Sequence, residues 1–284
     1  MNQGRCLCGT VRFEIDGPYT NMLHCHCSMC RKHHGAAFAT FVAAPIEGFR
    51  YTSGESAIGH YASSPGLHRS FCTSCGSVMP EAMASMGLVV CPAGNLDGDL
   101  GITPGMHMFT GSKAGWYEIT DDLPQHAEYP PEFGMAATPR ARVATQGEDV
   151  QGSCLCGDVA YAITGAPLRM FYCHCSRCRR ARSAAHAANV FFGSEGFRWV
   201  RGAELVADYQ LPESKYFGAA FCRRCGSAVP RVSVERGAVV VVPAGSIDND
   251  PGMRVQAHIF VGSKAPWDRI TDSIPQFAEL PPSR

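Results

Sequence analysis

One group of cysteine motifs occurs twice along the chain in the same order. The run CHCSMC begins at Cys25, and CHCSRC begins at Cys173. Three further motifs surround each run: C-x-C-Gly, F-C-x-x-C-G-S and H-x-F-x-G-S-K-A-x-W. Motifs that recur in one order indicate a tandem duplication. The sequence therefore predicts two domains of similar plan, called copy one and copy two below.

The limits of the copies follow from matching chain ends. Tyr129 precedes two prolines, and Leu280 does so near the C-terminus. The stretch between the copies is rich in Ala, Thr, Pro, Arg and Gly and has little periodicity, which is typical of a linker. We expect copy one at residues 1–131, a linker at 132–149 and copy two at 150–284.

The periodicity of apolar residues predicts a mainly β fold. Residues 11–15 alternate between apolar and polar, and residues 159–163 do so more weakly. Residues 88–90 and 238–242 are apolar runs typical of buried strands. Few segments lack Gly and Pro, so long helices are not expected, although a short helical turn can follow Cys30. Each copy should be a small pair of β-sheets with metal at its edge.

The outer cysteine pairs predict one closed metal site in each copy. Two short chelating pairs joined across a sheet are typical of structural zinc, and the Gly after each C-x-x-C permits a tight turn. Such binding contributes roughly 10 kcal/mol to folding. The predicted ligands are Cys6, Cys8, Cys72 and Cys75 in copy one, and Cys154, Cys156, Cys222 and Cys225 in copy two.

The central trios predict a different kind of site. Three thiolates leave a tetrahedral ion one ligand short, as in catalytic zinc sites. An iron–sulfur cluster with an open iron is a less favoured alternative. A closed zinc site is another, with a fourth ligand from His26, His174, His107 or His258, although a lone His more often hydrogen-bonds in a core. The trios are Cys25, Cys27 and Cys30, and Cys173, Cys175 and Cys178.

The total of 15 Cys is odd, and Cys91 is the residue left over. Its counterpart in copy two is Val242, so we interpret it as a small core residue. The chain start lacks an apolar signal segment and no run of 18 apolar residues occurs, so we expect a cytoplasmic protein with reduced thiols rather than a disulfide scaffold. Lys+Arg and Asp+Glu both number 25, which gives no electrostatic case for nucleic acid or membrane partners.

Taken together, these motifs resemble the glutathione-dependent formaldehyde-activating enzyme family, also called the centromere protein V family. The resemblance covers nearly all of both copies. It implies two tandem zinc-binding β-tent domains, with a structural zinc on the outer cysteines and a catalytic zinc on each trio, up to four zinc ions per chain. It also implies carbon–sulfur lyase activity, the condensation of formaldehyde with glutathione to S-(hydroxymethyl)glutathione. A thiol at the open position would have a lowered pKa and would attack the aldehyde carbon.

The basic residues after each trio are candidates for binding the carboxylates of a glutathione-like thiol. They are Arg31, Lys32, Arg179 and Arg180, with Arg182 nearby. A solvated surface cluster is the alternative interpretation. Lys113 with Trp116, and Lys264 with Trp267, either flank a pocket or pack at strand ends.

Copy one is closer to the pattern of this family than copy two, which departs from it at two positions. Arg180 replaces Lys32, and Ser183 replaces Gly35. A non-catalytic zinc module that binds a thiol, a partner protein or labile zinc is the alternative function.

Overall fold

Each copy builds its core on a five-stranded sheet with a three-stranded sheet beside it. The computed structural model describes residues 1–137, 143–233 and 238–282. The predicted class is confirmed: the fold is mainly β, with two sets of sheets. The strands of copy one are β1 Asn2–Arg5, β2 Arg12–Ile15, β3 Asn21–Cys25, β4 Ala39–Pro45, β5 Phe49–Ser53, β6 Ile58–Ser64, β7 Leu67–Cys72, β8 Glu81–Met83, β9 Leu88–Pro92 and β10 His107–Met108.

Copy two repeats this order of elements. Its strands are β11 Val150–Ser153, β12 Ala160–Ile163, β13 Arg169–Cys173, β14 Ala187–Gly193, β15 Phe197–Arg201, β16 Val206–Gln210, β17 Gly218–Cys222, β18 Ala228–Val229, β19 Arg231–Ser233, β20 Val239–Pro243 and β21 Ala257–Ile259. The α-helices are α1 Ser28–His34 and α2 Ser176–Arg182. Single 3₁₀ turns span Ile46–Gly48, Glu55–Ala57, Ala84–Met86, Ala93–Asn95, Thr110–Ser112, Pro131–Phe133, Ser194–Gly196, Ala203–Leu205, Ala244–Ser246 and Val261–Ser263.

The larger sheets have matching strand orders, β10-β3-β4-β9-β8 and β21-β13-β14-β20-β19. All neighbours are antiparallel except β10 with β3 and β21 with β13, which are parallel. The smaller sheets are β1-β2-β5 and β11-β12-β15. A third pairing, β6-β7 in copy one and β16-β17-β18 in copy two, carries the C-x-x-C end of each outer site. The sheets therefore bring cysteines distant in sequence to one place.

The apolar runs predicted as strands form the middle of the core. Val89 and Cys91 on β9, and Val240 and Val242 on β20, are fully or almost fully buried. Cys91 lies in this apolar cluster, as expected for a core residue. One hydrophobic cluster contains buried side chains of both copies, including Trp116 and Trp267. The copies therefore share a core.

The short helix after β3 begins earlier than the sequence indicated. A turn was expected over residues 31–34, whereas α1 starts at Ser28 and so contains Cys30. The Cys27 sulfur caps its N-terminus by accepting from the Cys30 amide. Gly35 ends it with φ 63°, a left-handed conformation that glycine adopts without strain. The metal-binding pattern and the helix thus share the same residues.

Each helix packs against a 3₁₀ turn of the opposite copy. α1 contacts the turn Ala244–Ser246, and α2 contacts Ala93–Asn95. Glycine stands at both contacts: a Cβ on Gly245 would lie 2.3 Å from the Arg31 carbonyl oxygen, and one on Gly94 would lie 2.3 Å from the Ala184 nitrogen. This close, approximately symmetric approach forms the interface between the copies.

The predicted linker falls partly outside the described residues, since residues 138–142 are not described. Its first residues continue the 3₁₀ turn Pro131–Phe133. The domain limits stay a prediction. No helix in the described part of the chain is long and apolar enough to cross a membrane.

Candidate metal centres and the cavity beside them

The four outer cysteines of each copy converge as predicted. Their sulfur atoms lie within 4.8 Å of one another in both copies. The Cys6 and Cys8 sulfurs are 3.3 Å apart, and those of Cys8 and Cys72 are 3.7 Å apart. Zn–S bonds of about 2.3 Å place the sulfurs of a tetrahedral site roughly 3.8 Å apart. The outer sites therefore have the spacing that a thiolate-bound metal requires.

The trios converge in the same way but with three sulfurs. Cys25, Cys27 and Cys30 form one group, and Cys173, Cys175 and Cys178 form the other. The Cys173 and Cys175 sulfurs are 3.6 Å apart. Among the described residues, no His, Asp or Glu ligand atom belongs to either close group. The trios are thus three-sulfur sites.

The donor chemistry of these clusters fits a metal better than free thiols. All 15 cysteines are free, and almost all are buried. Main-chain amides point at the sulfurs: Val11 donates to Cys6 at 3.3 Å, and Cys30 donates to Cys27 at 3.3 Å. Such bonds stabilise thiolates, and soft thiolate ligands select zinc or iron–sulfur over harder ions. The residues present therefore fit a thiolate-bound metal.

The histidines within the trios point away from the sulfurs, as expected. His26 Nε2 lies 2.8 Å from His107 Nδ1, and His107 Nε2 lies 3.0 Å from Asp121. Copy two has the same chain through His174, His258 and Asp272. The four histidines considered as a fourth ligand are therefore engaged in these relays.

A cavity of about 520 Å³ reaches the trio of copy one. Its wall is mostly apolar and rich in methionine, and it includes Cys30 itself. The last part of the wall comes from the end of copy one and the predicted linker. Lining residues are Leu23, Cys30, His33, His34, Phe41, Arg69, Met79, Met83, Met86, Met108, Tyr129, Phe133 and Met135, among others.

Arg69 on β7 brings a cation to the wall of this cavity. Its Nη1 lies 3.6 Å from the Cys30 sulfur. Burial alone would lower its pKa, but the charges of Cys30 and Cys27 outweigh this and the pKa is raised. Three thiolates around a divalent ion would carry a net charge of −1, which the guanidinium would balance in a medium of low dielectric constant.

Two histidines at the end of α1 face the same cavity. Burial keeps the pKa of His33 well below its usual range, so its imidazole is neutral. Both His33 ring nitrogens are buried without a hydrogen-bond partner in the described protein. His34 Nδ1 lies 2.8 Å from the Arg182 carbonyl oxygen of copy two, and burial lowers its pKa to about 4.

Copy two lacks this arrangement. Ala181 stands where copy one has His33, and Ala219 stands where it has Arg69. Arg182 replaces His34 and is buried. Burial lowers the pKa of Arg182 to about 10, and the negative charge of Cys178 opposes this shift. The two trios therefore lie in different electrostatic surroundings.

The basic residues proposed as carboxylate contacts lie on the other side of α1. Arg31 and Lys32 line a polar cavity of about 410 Å³ together with Lys113. Lys32 Nζ is 2.5 Å from Asp248 Oδ1 of copy two. In copy two, Arg180 pairs with Asp97, and Arg179 is half-buried. Lys32 and Arg180 are thus engaged between the copies, which the sequence interpretation did not anticipate.

In copy one the Lys–Trp motif meets both interpretations, because Lys113 and Trp116 line the polar cavity and Trp116 also packs in the core. Trp116 and Trp267 are buried in the shared core. Lys113 donates to the Tyr117 carbonyl, and Lys264 donates to that of Asp268.

Arg69 and the methionine wall were missed by the sequence analysis. Arg69 lies in a short polar stretch of β7, where a charged residue normally faces water, and its approach to Cys30 depends on how β7 is placed in the fold. The sequence does contain one signal for the role of Arg69: the matched position in copy two, just before the second F-C-x-x-C-G-S motif, is Ala219.

Comparison with known proteins identifies one matching family. The model of the family "Glutathione-dependent formaldehyde-activating enzyme" matches residues 1–112 and 149–263. No curated protein matches the chain. A crystal structure of a Rhodobacter sphaeroides protein is similar, with 23% sequence identity over 36% of this chain and 97% of that chain, at a TM-score of 0.31. The two family matches contain both trios and both outer sites, so the chain is a tandem duplication that belongs to the glutathione-dependent formaldehyde-activating enzyme family.

Proposed function

We propose that copy one is a zinc-dependent carbon–sulfur lyase that joins a small-molecule thiol to a small aldehyde such as formaldehyde, and reverses that step. The observation that carries the proposal is the three-sulfur site open to a cavity that holds Arg69 and His33. Family membership supports a small-molecule thiol and formaldehyde as the reactants. A cytoplasmic location with reduced thiols is part of the proposal.

Zinc is the metal that we assign to all four clusters, two structural and two at the trios. Cys25, Cys27 and Cys30 would hold the working ion of copy one, and the sulfur spacing and thiolate chemistry support this assignment. When bound, zinc supplies a lowered pKa for a thiol that joins the three sulfurs, so that the thiolate exists at neutral pH.

The reaction balances without an oxidant or reductant. The thiolate sulfur forms a bond to the aldehyde carbon, and the carbonyl π electrons move to oxygen. The proton lost by the thiol ends on that oxygen, which gives an S-hydroxymethyl product. The reverse step breaks the same C–S bond. The protein therefore needs to hold the thiolate, orient the aldehyde and carry one proton.

Arg69 and His33 are placed for the last two tasks. Arg69 presents guanidinium donors beside Cys30, where charge develops on the aldehyde oxygen. His33 is neutral at working pH and lines the same cavity, so it can pass a proton between sulfur and oxygen. His33 is buried and Arg69 is half-buried, and the low dielectric constant there strengthens their electrostatic effect.

The cavity wall also favours one kind of thiol. Its methionines, leucines and aromatic rings offer few partners for carboxylates. Flexible methionine side chains accommodate varied apolar shapes. A thiol with an apolar body therefore fits this cavity better than a peptide thiol with several charges. The polar cavity at Arg31 is lined by Asp248 and Asp250 as well as by cations, so it offers a glutathione-like carboxylate little net positive charge.

Copy two is proposed to bind metal without turnover. Its trio is intact, but Ala181 and Ala219 replace the two residues assigned to catalysis in copy one. The non-catalytic zinc module thus describes copy two in this proposal. In this proposal α2 and the outer site of copy two stabilise the interface against which copy one packs.

The test is exchange of ¹³C-formaldehyde with a thiol, followed by NMR on the zinc-loaded full chain. We expect acceleration over the spontaneous reaction, larger for benzyl mercaptan than for glutathione. Arg69→Ala, which copies Ala219, should lower the rate about 100-fold while zinc content stays the same. The exposed Arg50→Ala serves as its control.

A second pair of variants separates the copies. Cys25→Ala should abolish the acceleration, and Cys173→Ala should leave most of it. Equal losses would contradict the assignment to copy one. A zinc-loaded wild type that gives no acceleration with either thiol would leave only the binding function.

A further inference from the structure

Three buried side chains of copy two meet beside the trio but on its far side. They are His174, His186 and Asp268, and their ligand atoms lie within 4.8 Å of one another. Their exposures are 1%, 7% and 6%. The proposed reaction uses none of them. Two imidazoles and a carboxylate that are this close and this deeply buried need an explanation, because buried polar groups normally have hydrogen-bond partners.

The hydrogen-bond chain from His174 through His258 to Asp272 determines which ring nitrogen of His174 carries the hydrogen. His258 Nε2 is 3.0 and 3.1 Å from the two carboxylate oxygens of Asp272, which only accept, so Nε2 carries the hydrogen. His258 Nδ1 then accepts from His174 Nε2–H at 2.9 Å. In a neutral His174 the remaining nitrogen, Nδ1, therefore has a bare lone pair.

That lone pair faces a second acceptor. His174 Nδ1 is 3.2 Å from Asp268 Oδ2, yet neither atom has a hydrogen-bond partner among the described residues. Both ring nitrogens of His186 are also buried without a partner. Burying such groups without a hydrogen-bond partner costs free energy.

Among the described residues, no side-chain cation forms a hydrogen bond with the Asp268 carboxylate. Lys264 donates to the main-chain carbonyl of Asp268 rather than to its carboxylate. Arg179 is near enough to interact electrostatically with Asp268, but no hydrogen bond joins them in the described residues. The choice is therefore between an extra proton on His174 and a bound cation. A proton would satisfy His174 and Asp268 but leave both nitrogens of His186 unpartnered.

We propose that His174 Nδ1, His186 and Asp268 form a fifth metal site, which holds a divalent transition-metal ion such as Zn²⁺. Two imidazoles and one carboxylate are a common donor set for such ions, with one position left for a further ligand. Metal-bound histidines usually donate their second ring N–H to a partner that fixes their tautomer. The His258–Asp272 relay does this for His174.

Copy one provides the natural contrast. His26 has the same relay through His107 and Asp121. Phe38 and Tyr117 stand where copy two has His186 and Asp268. Phe38 packs edge-on against His186 with ring centroids 5.5 Å apart, so the two positions meet across the interface. The relay is thus common to both copies, and the remaining ligands occur only in copy two.

The experiment counts metal on the full chain, expressed with added zinc because the site is buried. Elemental analysis and native mass spectrometry should give one zinc more per chain for wild type than for His186→Phe, which installs the residue of copy one. Asp272→Asn should weaken the extra zinc 10- to 100-fold. Asp121→Asn, its match in copy one, should leave the zinc count unchanged.

A second measurement does not depend on a variant that folds. The thiolate sites of wild type are first saturated with Cd²⁺, a soft ion that prefers sulfur, and the chain is refolded with Co²⁺. One Co²⁺ per chain with visible d–d bands and no sulfur-to-cobalt charge transfer supports the proposal. Absent cobalt bands, or equal zinc counts in wild type and folded His186→Phe, would overturn it and leave a protonated His174 beside Asp268.

Discussion

Lys32 of copy one and Asp248 of copy two form a buried ion pair, with Nζ 2.5 Å from Oδ1 and side-chain exposures of 8% and 5%. Lys32 also donates to the carbonyl and hydroxyl oxygens of Ser153, both at 2.8 Å. The Ser153 hydroxyl in turn donates to Asp248 at 2.6 Å. Burial lowers the pKa of Lys32, and the charge of Asp248 opposes that shift. The ammonium is thus fully engaged between the copies.

Removing one partner of this pair should weaken the union of the copies. Asp248→Ala leaves the Lys32 ammonium buried without its counter-charge, and we expect a loss of about 3–5 kcal/mol in the free energy of unfolding. Chemical denaturation measures it. Asp97→Ala is the control from the opposite pair, where the side chain of Asp97 is 49% exposed, and should cost clearly less. Equal losses would mean that the Lys32 pair has no special role.

The glycine contact at the same interface gives a second test. An alanine Cβ at Gly245 would lie 2.3 Å from the Arg31 carbonyl oxygen and 2.5 Å from that of Ala36. Main-chain atoms of a helix end cannot move aside easily, so Gly245→Ala should destabilise the protein by about 1–3 kcal/mol. Gly115→Ala has no heavy atom within 4 Å of the new Cβ and should be neutral. Thermal unfolding of both variants would decide, and similar midpoints would contradict the close approach.

Two buried cysteines should respond in opposite ways to substitution. Cys72→Ser removes a ligand of the outer site, and the chain should lose one zinc and most of its stability, because structural metal binding contributes roughly 10 kcal/mol. Cys91→Val copies Val242 and should change stability by less than about 1.5 kcal/mol. Zinc content and denaturation midpoints measure both effects. If Cys91→Val unfolded the protein while Cys72→Ser kept its zinc and stability, the assignment of Cys72 as a ligand and Cys91 as a core residue would be wrong.

The fold and the cysteine clusters followed from the sequence because their signals are local or repeated. The runs containing Val89 and Val240 predict buried strands from apolarity alone. The motifs around Cys25 and Cys173 match each other, and this repetition marks them as metal-binding motifs. Lys32 and Arg69 could not be placed in this way. Asp248 is distant in sequence from Lys32, and Arg69 reaches Cys30 only through the position of β7 beside α1. Contacts of this kind depend on how the copies and strands pack.

His34 makes the stability of the copy interface sensitive to acid. Its Nδ1–H donates to the Arg182 carbonyl oxygen of copy two at 2.8 Å, and its Nε2 is buried without a partner. Burial lowers its pKa to about 4, whereas an unfolded histidine has a pKa of about 6.5. Between these values the unfolded chain binds more protons than the folded chain. Stability from His34 is therefore complete above about pH 6.5, falls as the pH drops, and levels off below about pH 4.

The slope of stability against pH tests this contribution directly. Wild type should lose up to about 1.4 kcal/mol per pH unit more than His34→Gln between about pH 6.5 and pH 4, because Gln keeps an amide donor but takes up no proton. Burial also lowers the pKa of His24 to about 3 and of His26 to about 2, so both proteins retain some acid sensitivity. Urea denaturation at several pH values gives the two slopes, and His68→Gln, at an exposed histidine, controls for the change of residue type. Parallel slopes for wild type and His34→Gln would show that His34 is protonated as easily in the folded chain as in the unfolded one.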